Sequence, residues 1–192
     1  MTDTAPAQLD GRALRDLYGQ FASGITIITT DGADGPVGFA CQSFAALSLE
    51  PPLVLFCPMK TSRSWQAIEA TGRFAVNILA EEQQETCAVF GSRHPDKFGA
   101  VDWHRSESGQ PLLDGSLAWI DCTVETVHEG GDHYVVYGRV HDFAVGEGTS
   151  GKPLLFYRSQ YTGIAPEKSE PAPWRDDLEE FLFTAADGDT WL

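Results

Sequence analysis

The run Gly131-Asp132-His133-Tyr134-Val135-Val136-Tyr137-Gly138-Arg139-Val140 sets an acid and an imidazole side by side behind a glycine pair, where a β-rich stretch begins. A titratable pair at a strand's mouth makes His133 and Asp132 the candidate catalytic residues. The carboxylate either orients the ring or simply closes the turn. Two other segments have the make-up of a ligand cradle. In Ala40-Cys41-Gln42-Ser43-Phe44, small and polar residues at a strand's end let backbone amides and a hydroxyl approach a flat heterocycle closely. Lys60-Thr61-Ser62-Arg63-Ser64 joins two cations and three hydroxyls to the unpaired N–H groups of a helix start, a phosphate site in chemical terms. A capped surface helix carries similar residues. The remaining histidines, His94, His104, His128 and His141, have no comparable context.

The elements that must position these residues follow from periodicity. Leu14, Leu17, Tyr18 and Phe21 fall at i, i+3, i+4 and i+7, so a short amphipathic helix opens the domain and Gly24 ends it. Residues 25–30 read as a buried β-branched strand, 31–36 as a turn and 37–42 as the returning strand. Residues 53–57 form a third strand, closed by Pro58. Ser62 is the N-cap of a helix with Trp65 and Ile68 on one face and Gly72 at its end. Residues 74–79 are a strand and 81–90 a polar-faced helix. Long strands over 117–128 and 133–145 flank Glu129-Gly130-Gly131-Asp132, a hairpin signal, and 154–157 adds another. Several antiparallel strands with two or three small helices predict a mainly β, closed barrel, since closure removes exposed edges.

At 192 residues the chain is long enough for one domain with a real core. Its 42% hydrophobic and 21% charged residues are ordinary for a globular protein. A formal net charge of −15 argues against nucleic acid as a partner. No apolar run reaches membrane-spanning length, and Met1-Thr2-Asp3-Thr4 lacks the basic start of a secretory leader, so a cytoplasmic protein without a membrane partner is expected. Cys41, Cys57, Cys87 and Cys122 form no CxxC and no cysteine–histidine cluster, so no metal is expected. Cys57 and Cys122 lie in apolar runs and read as buried free thiols.

The ordered set Gly38-Phe39-Ala40-Cys41-Gln42-Ser43-Phe44, Ser48-Leu49-Glu50-Pro51-Pro52-Leu53-Val54-Leu55, Lys60-Thr61-Ser62-Arg63-Ser64-Trp65, Phe74-Ala75-Val76-Asn77-Ile78-Leu79 and Gly131-Asp132-His133 resembles the flavin reductase family, from about Leu14 to about Ile164. The resemblance implies an FMN-binding split β-barrel, dimeric, using FMN or FAD with NADH or NADPH. It implies that reduced flavin passes to a separate monooxygenase. Ala40, Cys41, Gln42 and Ser43 are then expected along the flavin ring and ribityl chain, with Ser48 in the next segment of the set. Lys60, Thr61 and Ser62 are expected at its phosphate. Phe90 and Lys97 belong to a Phe-Ala and Asp-Lys-Phe pattern near the ring's edge, and Arg158 and Tyr161 to the closing Tyr157-Arg158-Ser159-Gln160-Tyr161 stretch. His133 is implied to position the nicotinamide. Cys41, Gln42 and Gly91 depart from the family's usual residues. Lys97 and Arg158 equally suit solvated surface cations, and Trp65, Trp103, Trp119 and Phe74 the core or a dimer interface. Two alternatives remain: a flavoprotein that keeps its flavin and acts on another small substrate, and a flavin-binding protein without catalysis. The domain is expected over 1–164, with an acidic extension over 165–192 that holds eight acids and two bases. Within it, Trp174, Leu178, Phe181 and Leu182 share one helical face.

Overall fold

The computed structural model describes residues 9–164. The acidic extension, with its expected helix, lies outside the described residues. Among those described, no helix is long and apolar enough to cross a membrane.

A seven-stranded antiparallel sheet forms the body, in the order β3-β2-β6-β9-β10-β5-β4. Its strands are β2 (Thr26–Gly32), β3 (Gly35–Cys41), β4 (Ala45–Leu49), β5 (Pro52–Phe56), β6 (Arg73–Ile78), β9 (Ala118–Gly130) and β10 (His133–Val145). A small sheet of β1 (Ser23–Gly24), β11 (Leu155–Tyr157) and β12 (Gln160–Thr162) joins the two ends of the domain. β7 (Trp103–Arg105) and β8 (Pro111–Leu113) form a separate hairpin. Strand β2 is buried on both faces, and alternation sends its side chains to two cores. Ile28 joins Phe56, Trp65, Phe74 and Val136 inside the curled sheet. Ile25 and Ile27 join Leu79, Phe90, Phe98 and Leu154 on the other side. The sheet's two edges, β3 and β4, do not pair; on the link between them the Ser43 hydroxyl accepts from the Cys57 N–H (2.9 Å), just past β5, and reaches its carbonyl (3.3 Å). This is a split β-barrel, mainly β and antiparallel, as the resemblance implies, with the sheet's edges left unpaired where periodicity predicted closure.

Three helices decorate it: α1 (Gly11–Tyr18), α2 (Arg63–Thr71) and α3 (Gln84–Gly91). Ser62 caps α2 by accepting from the Trp65 N–H at 3.2 Å, and Gly72 ends it in the left-handed region at φ 66°. Helix α1 stops at Gly19, not Gly24, which already belongs to β1. No residue of α1 is buried, so Leu17 and Tyr18 stay exposed, and Phe21 is 81% exposed. The turn expected over 31–36 is tighter, because Gly32 pairs with Gly35. Helix α3 begins later than expected, since Gln83 spends its side chain on the Ala80 N–H and the Asp114 carbonyl.

Strands β1, β4, β7, β8 and β12 escaped the periodicity reading. The β7–β8 hairpin is held by side chains from afar: Asn77 accepts from the Leu113 N–H (2.8 Å) and Thr29 donates to the Pro111 carbonyl (2.6 Å).

Candidate functional site

The β9–β10 turn is shorter than the four residues expected, because Gly130 pairs with His133 and only Gly131 and Asp132 remain to turn. Gly131 takes φ +77°, a region that favours glycine. The turn is pinned from outside. The Lys60 N–H donates to the Asp132 carbonyl (3.1 Å), and the Tyr134 N–H to the Pro58 carbonyl (3.0 Å). His133 also bridges to Met59. These contacts bring the β10 mouth against the segment that leads into α2.

There a cavity of about 900 Å³ opens. One wall is the end of β3, with Ala40, Cys41, Gln42 and Ser43. A second is the approach to α2, with Met59, Thr61 and Ser62. Arg93, just after α3, His133 and Tyr161 also line it. The His133 Nδ1 lies 2.7 Å from the Asp132 carboxylate. A carboxylate only accepts, so Nδ1 carries the hydrogen and Nε2 is left for a ligand. The same hydrogen bond, aided by the imidazole's charge, holds the Asp132 carboxyl below the usual range. Tyr161, hydrogen-bonded to Cys87, is pushed up to about 12 and stays a neutral phenol.

The other expected site residues stand apart from this cavity. Lys60 pairs with Glu129 and lies over the Tyr134 ring, since the pinned turn carries Glu129 beside it. Ser48 lies on the outer strand β4, opposite Leu53. Phe90 is 1% exposed and packs on Phe98, within the second core. Arg158 sits in the β11–β12 turn, where its guanidinium donates to Gln20 (2.9 Å). Lys97 donates to the Phe90 carbonyl (2.7 Å) and faces a neighbouring cavity. Sequence reasoning passed over Arg93, which follows a helix end without a patterned context, and Cys57, which is half-exposed on the cavity wall instead of buried.

Three of the four free cysteines line the cavity, and their environments differ. Burial raises the Cys41 and Cys87 thiols and, outside the cavity, pushes Cys122 up to about 12. Cys57 is the one of the four that is not buried, so one fast-reacting thiol is expected in the native protein, at Cys57. Labelling with a chromogenic disulfide checks it: Cys57→Ser removes the fast phase, and a fast phase that survives assigns it elsewhere.

A cavity walled by small strand-end residues, with a helix start and a carboxylate-oriented imidazole, is compatible with many ligands, and comparison with known proteins decides among them. The model of the flavin reductase like domain matches residues 18–165. The chain belongs to the flavin reductase family. Among its curated relatives, the reductase subunit HsaB of a flavin-dependent monooxygenase from Mycobacterium tuberculosis is 63% identical over 186 residues, 97% of this chain and 99% of the relative. In solved structures, nitrilotriacetate monooxygenase component B from Mycobacterium thermoresistibile superposes with TM-score 0.83 at 64% identity, covering 90% of this chain and 96% of that one. An NADH:FAD oxidoreductase of Streptomyces globisporus, solved with NAD and FAD fragments, gives TM-score 0.77 at 34% identity over 84% of this chain and 99% of that one. The split barrel is thus the flavin reductase barrel, and the cavity at the mouth of β10 is its candidate site.

Proposed function

We propose that this chain is an NAD(P)H-dependent flavin reductase that supplies reduced FMN or FAD to a separate monooxygenase component. One observation carries the reading: the end of β3, the start of α2 and His133 converge on a single cavity. The residues present fit a flavin. Gly91 and Ala40 line the cavity with small groups, and a Cβ at Gly91 would meet only the Ala40 methyl, at 4.0 Å. Backbone groups at 40–43 suit the edge of a flat ring, and the start of α2 suits a phosphate. With Lys60 held by Glu129, Thr61, Ser62 and Arg93 are the groups of the cavity nearest in chemistry to that phosphate.

When bound, the flavin supplies the acceptor for a hydride from the nicotinamide. The chain's part is placement. His133, its Nδ1 tied to Asp132, offers Nε2 to hold the nicotinamide side of the site, and Tyr161, a neutral phenol tied to Cys87, lines the wall without adding charge. A hydride leaves the nicotinamide with both electrons of its C–H bond and no proton is abstracted in that step, so orientation matters more than acid–base strength. A homodimer is part of the proposal, and the exposed Leu17, Tyr18 and Phe21 of the first segment suit such an interface. Free cysteines suit a reducing cytoplasm.

Anaerobic titration with NADH and then NADPH, followed at the flavin's visible band, tests the reading. Repeated bleaching of added free FMN is expected. Flavin that bleaches once and does not exchange supports a flavoprotein with its own substrate, and flavin that binds without bleaching removes the enzyme. Arg93→Ala is expected to weaken FMN about fivefold, about 1 kcal/mol for an exposed charge-assisted contact, and to spare riboflavin, which lacks the phosphate. Equal binding of FMN by both proteins takes Arg93 out of the phosphate site.

A further inference from the structure

Cys41 and Cys57 meet at one hydroxyl. The Ser43 Oγ lies 3.2 Å from the Cys41 Sγ and accepts from the Cys57 N–H at 2.9 Å. The two thiols come from different strands, one ending β3 and the other just past β5, and both line the candidate cavity. Burial raises the Cys41 thiol most; hydrogen bonds from Ser43 and the Cys57 N–H act against it, and the charge of Cys57 acts with it. The two side chains therefore share one electrostatic neighbourhood.

The pair is asymmetric. Cys41 is 5% exposed, whereas Cys57 is half-exposed on the cavity wall. A small oxidant entering the cavity meets Cys57 first, with Cys41 behind the shared hydroxyl as the thiol that resolves it. The other two cysteines are placed differently. Cys87 has Tyr161 as its hydrogen-bond partner, and Cys122 lies off the cavity, in the core inside the curled sheet.

The chemistry of the site brings the oxidant. A reduced flavin that meets dioxygen passes both electrons to it and, with two protons, gives hydrogen peroxide. The inference rests on the flavin reductase reading above for that oxidant, and adds a control to the same site.

We propose that Cys57 and Cys41 are a peroxide-sensing pair that closes to a disulfide, ties the end of β3 to the end of β5, and shuts the flavin site. In the first step the Cys57 sulfur attacks one peroxide oxygen, the O–O bond breaks, and the hydroxide released takes up the thiol's proton as water. Cys57 is left a sulfenic acid, oxidised by two electrons as the peroxide is reduced by two. In the second step the Cys41 sulfur attacks that sulfur, the S–O bond breaks, and hydroxide leaves with the Cys41 proton as a second water. To form the bond the sulfurs close over the place where the Ser43 hydroxyl stands, so the wall made by residues 40–43 is redrawn. A thiol reductant returns both cysteines and the wall.

The purified full chain, treated with a small excess of hydrogen peroxide and quenched by alkylation, tests the proposal. Chymotrypsin cuts between the two cysteines, at Phe44 and Phe56, so the disulfide is read as two linked peptides. Expected are the linked Cys41–Cys57 pair and an FMN affinity lowered at least about fivefold, both reversed by dithiothreitol. In Cys57→Ser no linked pair is expected, and peroxide should leave that variant's own FMN affinity within about twofold. A Cys57 that ends as sulfinic acid with Cys41 free, a bridge to any other cysteine, or a linked pair with FMN affinity unmoved overturns the proposal. So does a Cys57→Ser protein that loses FMN affinity to peroxide as the wild type does. Cys57→Ala repeats the comparison should the serine variant fail to fold, and the wild-type peptide map needs neither. FMN bound by the untreated wild type, with no linked pair after peroxide, overturns the switch alone. An untreated wild type that binds no FMN sinks the flavin site itself, and the switch with it.

Discussion

His133→Ala is expected to lower kcat/KM for NADH by about 10- to 100-fold, about 1.4 to 2.8 kcal/mol of transition-state stabilisation, while FMN binding stays within about twofold. The asymmetry follows from placement. His133 lines the cavity with its Nδ1 held at 2.7 Å by Asp132, whereas the β3 end and the α2 start form other walls. Asp132→Asn keeps a polar neighbour but removes the charge that orients the ring, so a smaller loss in the same direction is expected. The pH dependence has a definite sign. The Asp132 carboxyl is held below its ordinary range, so its contact with His133 persists above that range and fails only as pH falls through the lowered value. Steady-state kinetics with each nicotinamide, beside flavin binding by fluorescence, measures both. Unchanged NADH kinetics in the alanine variant would remove His133 from the site.

Gly138→Ala is expected to cost about 3 kcal/mol or more of stability. A Cβ at Gly138 would stand 2.3 Å from the Phe74 ring and 3.2 Å from a Val54 methyl. Phe74 is fully buried and cannot retreat, since its ring already meets Phe56 at 4.9 Å between centroids. The strand must shift, and β10 is the strand that carries His133, so stability and site geometry fall together. Urea melts of the variant and of the double variant Gly138→Ala/Phe74→Leu separate the causes. If the clash is the reason, the smaller leucine recovers part of the loss, a coupling that independent sites lack. A melt like the wild type's shows that the barrel yields at this point.

What could be read from the chain alone was local. Ser62 and Gly72 bracket α2 because a hydroxyl three residues before an N–H, and a left-handed end, are short-range chemistry. The β9–β10 hairpin was legible for the same reason. Long-range pairings were not. Lys60 has the composition of a phosphate ligand, but Glu129, 69 residues away, occupies it. Arg158 has Gln20 as its partner, 138 residues away. Strands β7 and β8 are three residues each, too short for alternation to register, and they exist because Asn77 and Thr29 hold them. The family resemblance supplied the candidate cavity residues that periodicity could not, yet it did not reveal the neighbouring cavity, whose lining is drawn from loop ends and small residues.

The little sheet that ties β1 to β11 and β12 has a temporal consequence. Ser23 pairs with Phe156, and the Arg158 N–H closes on the Gly19 carbonyl, so the domain's opening residues wait for nearly its last. Phe156 and Tyr161 line the candidate cavity. A ribosome must therefore have released the chain beyond residue 162 before that wall exists. Prematurely ended products would carry most of the barrel and still lack that wall of the candidate site. The closing residues of the barrel are thus the last to be made and among the first that this cavity needs.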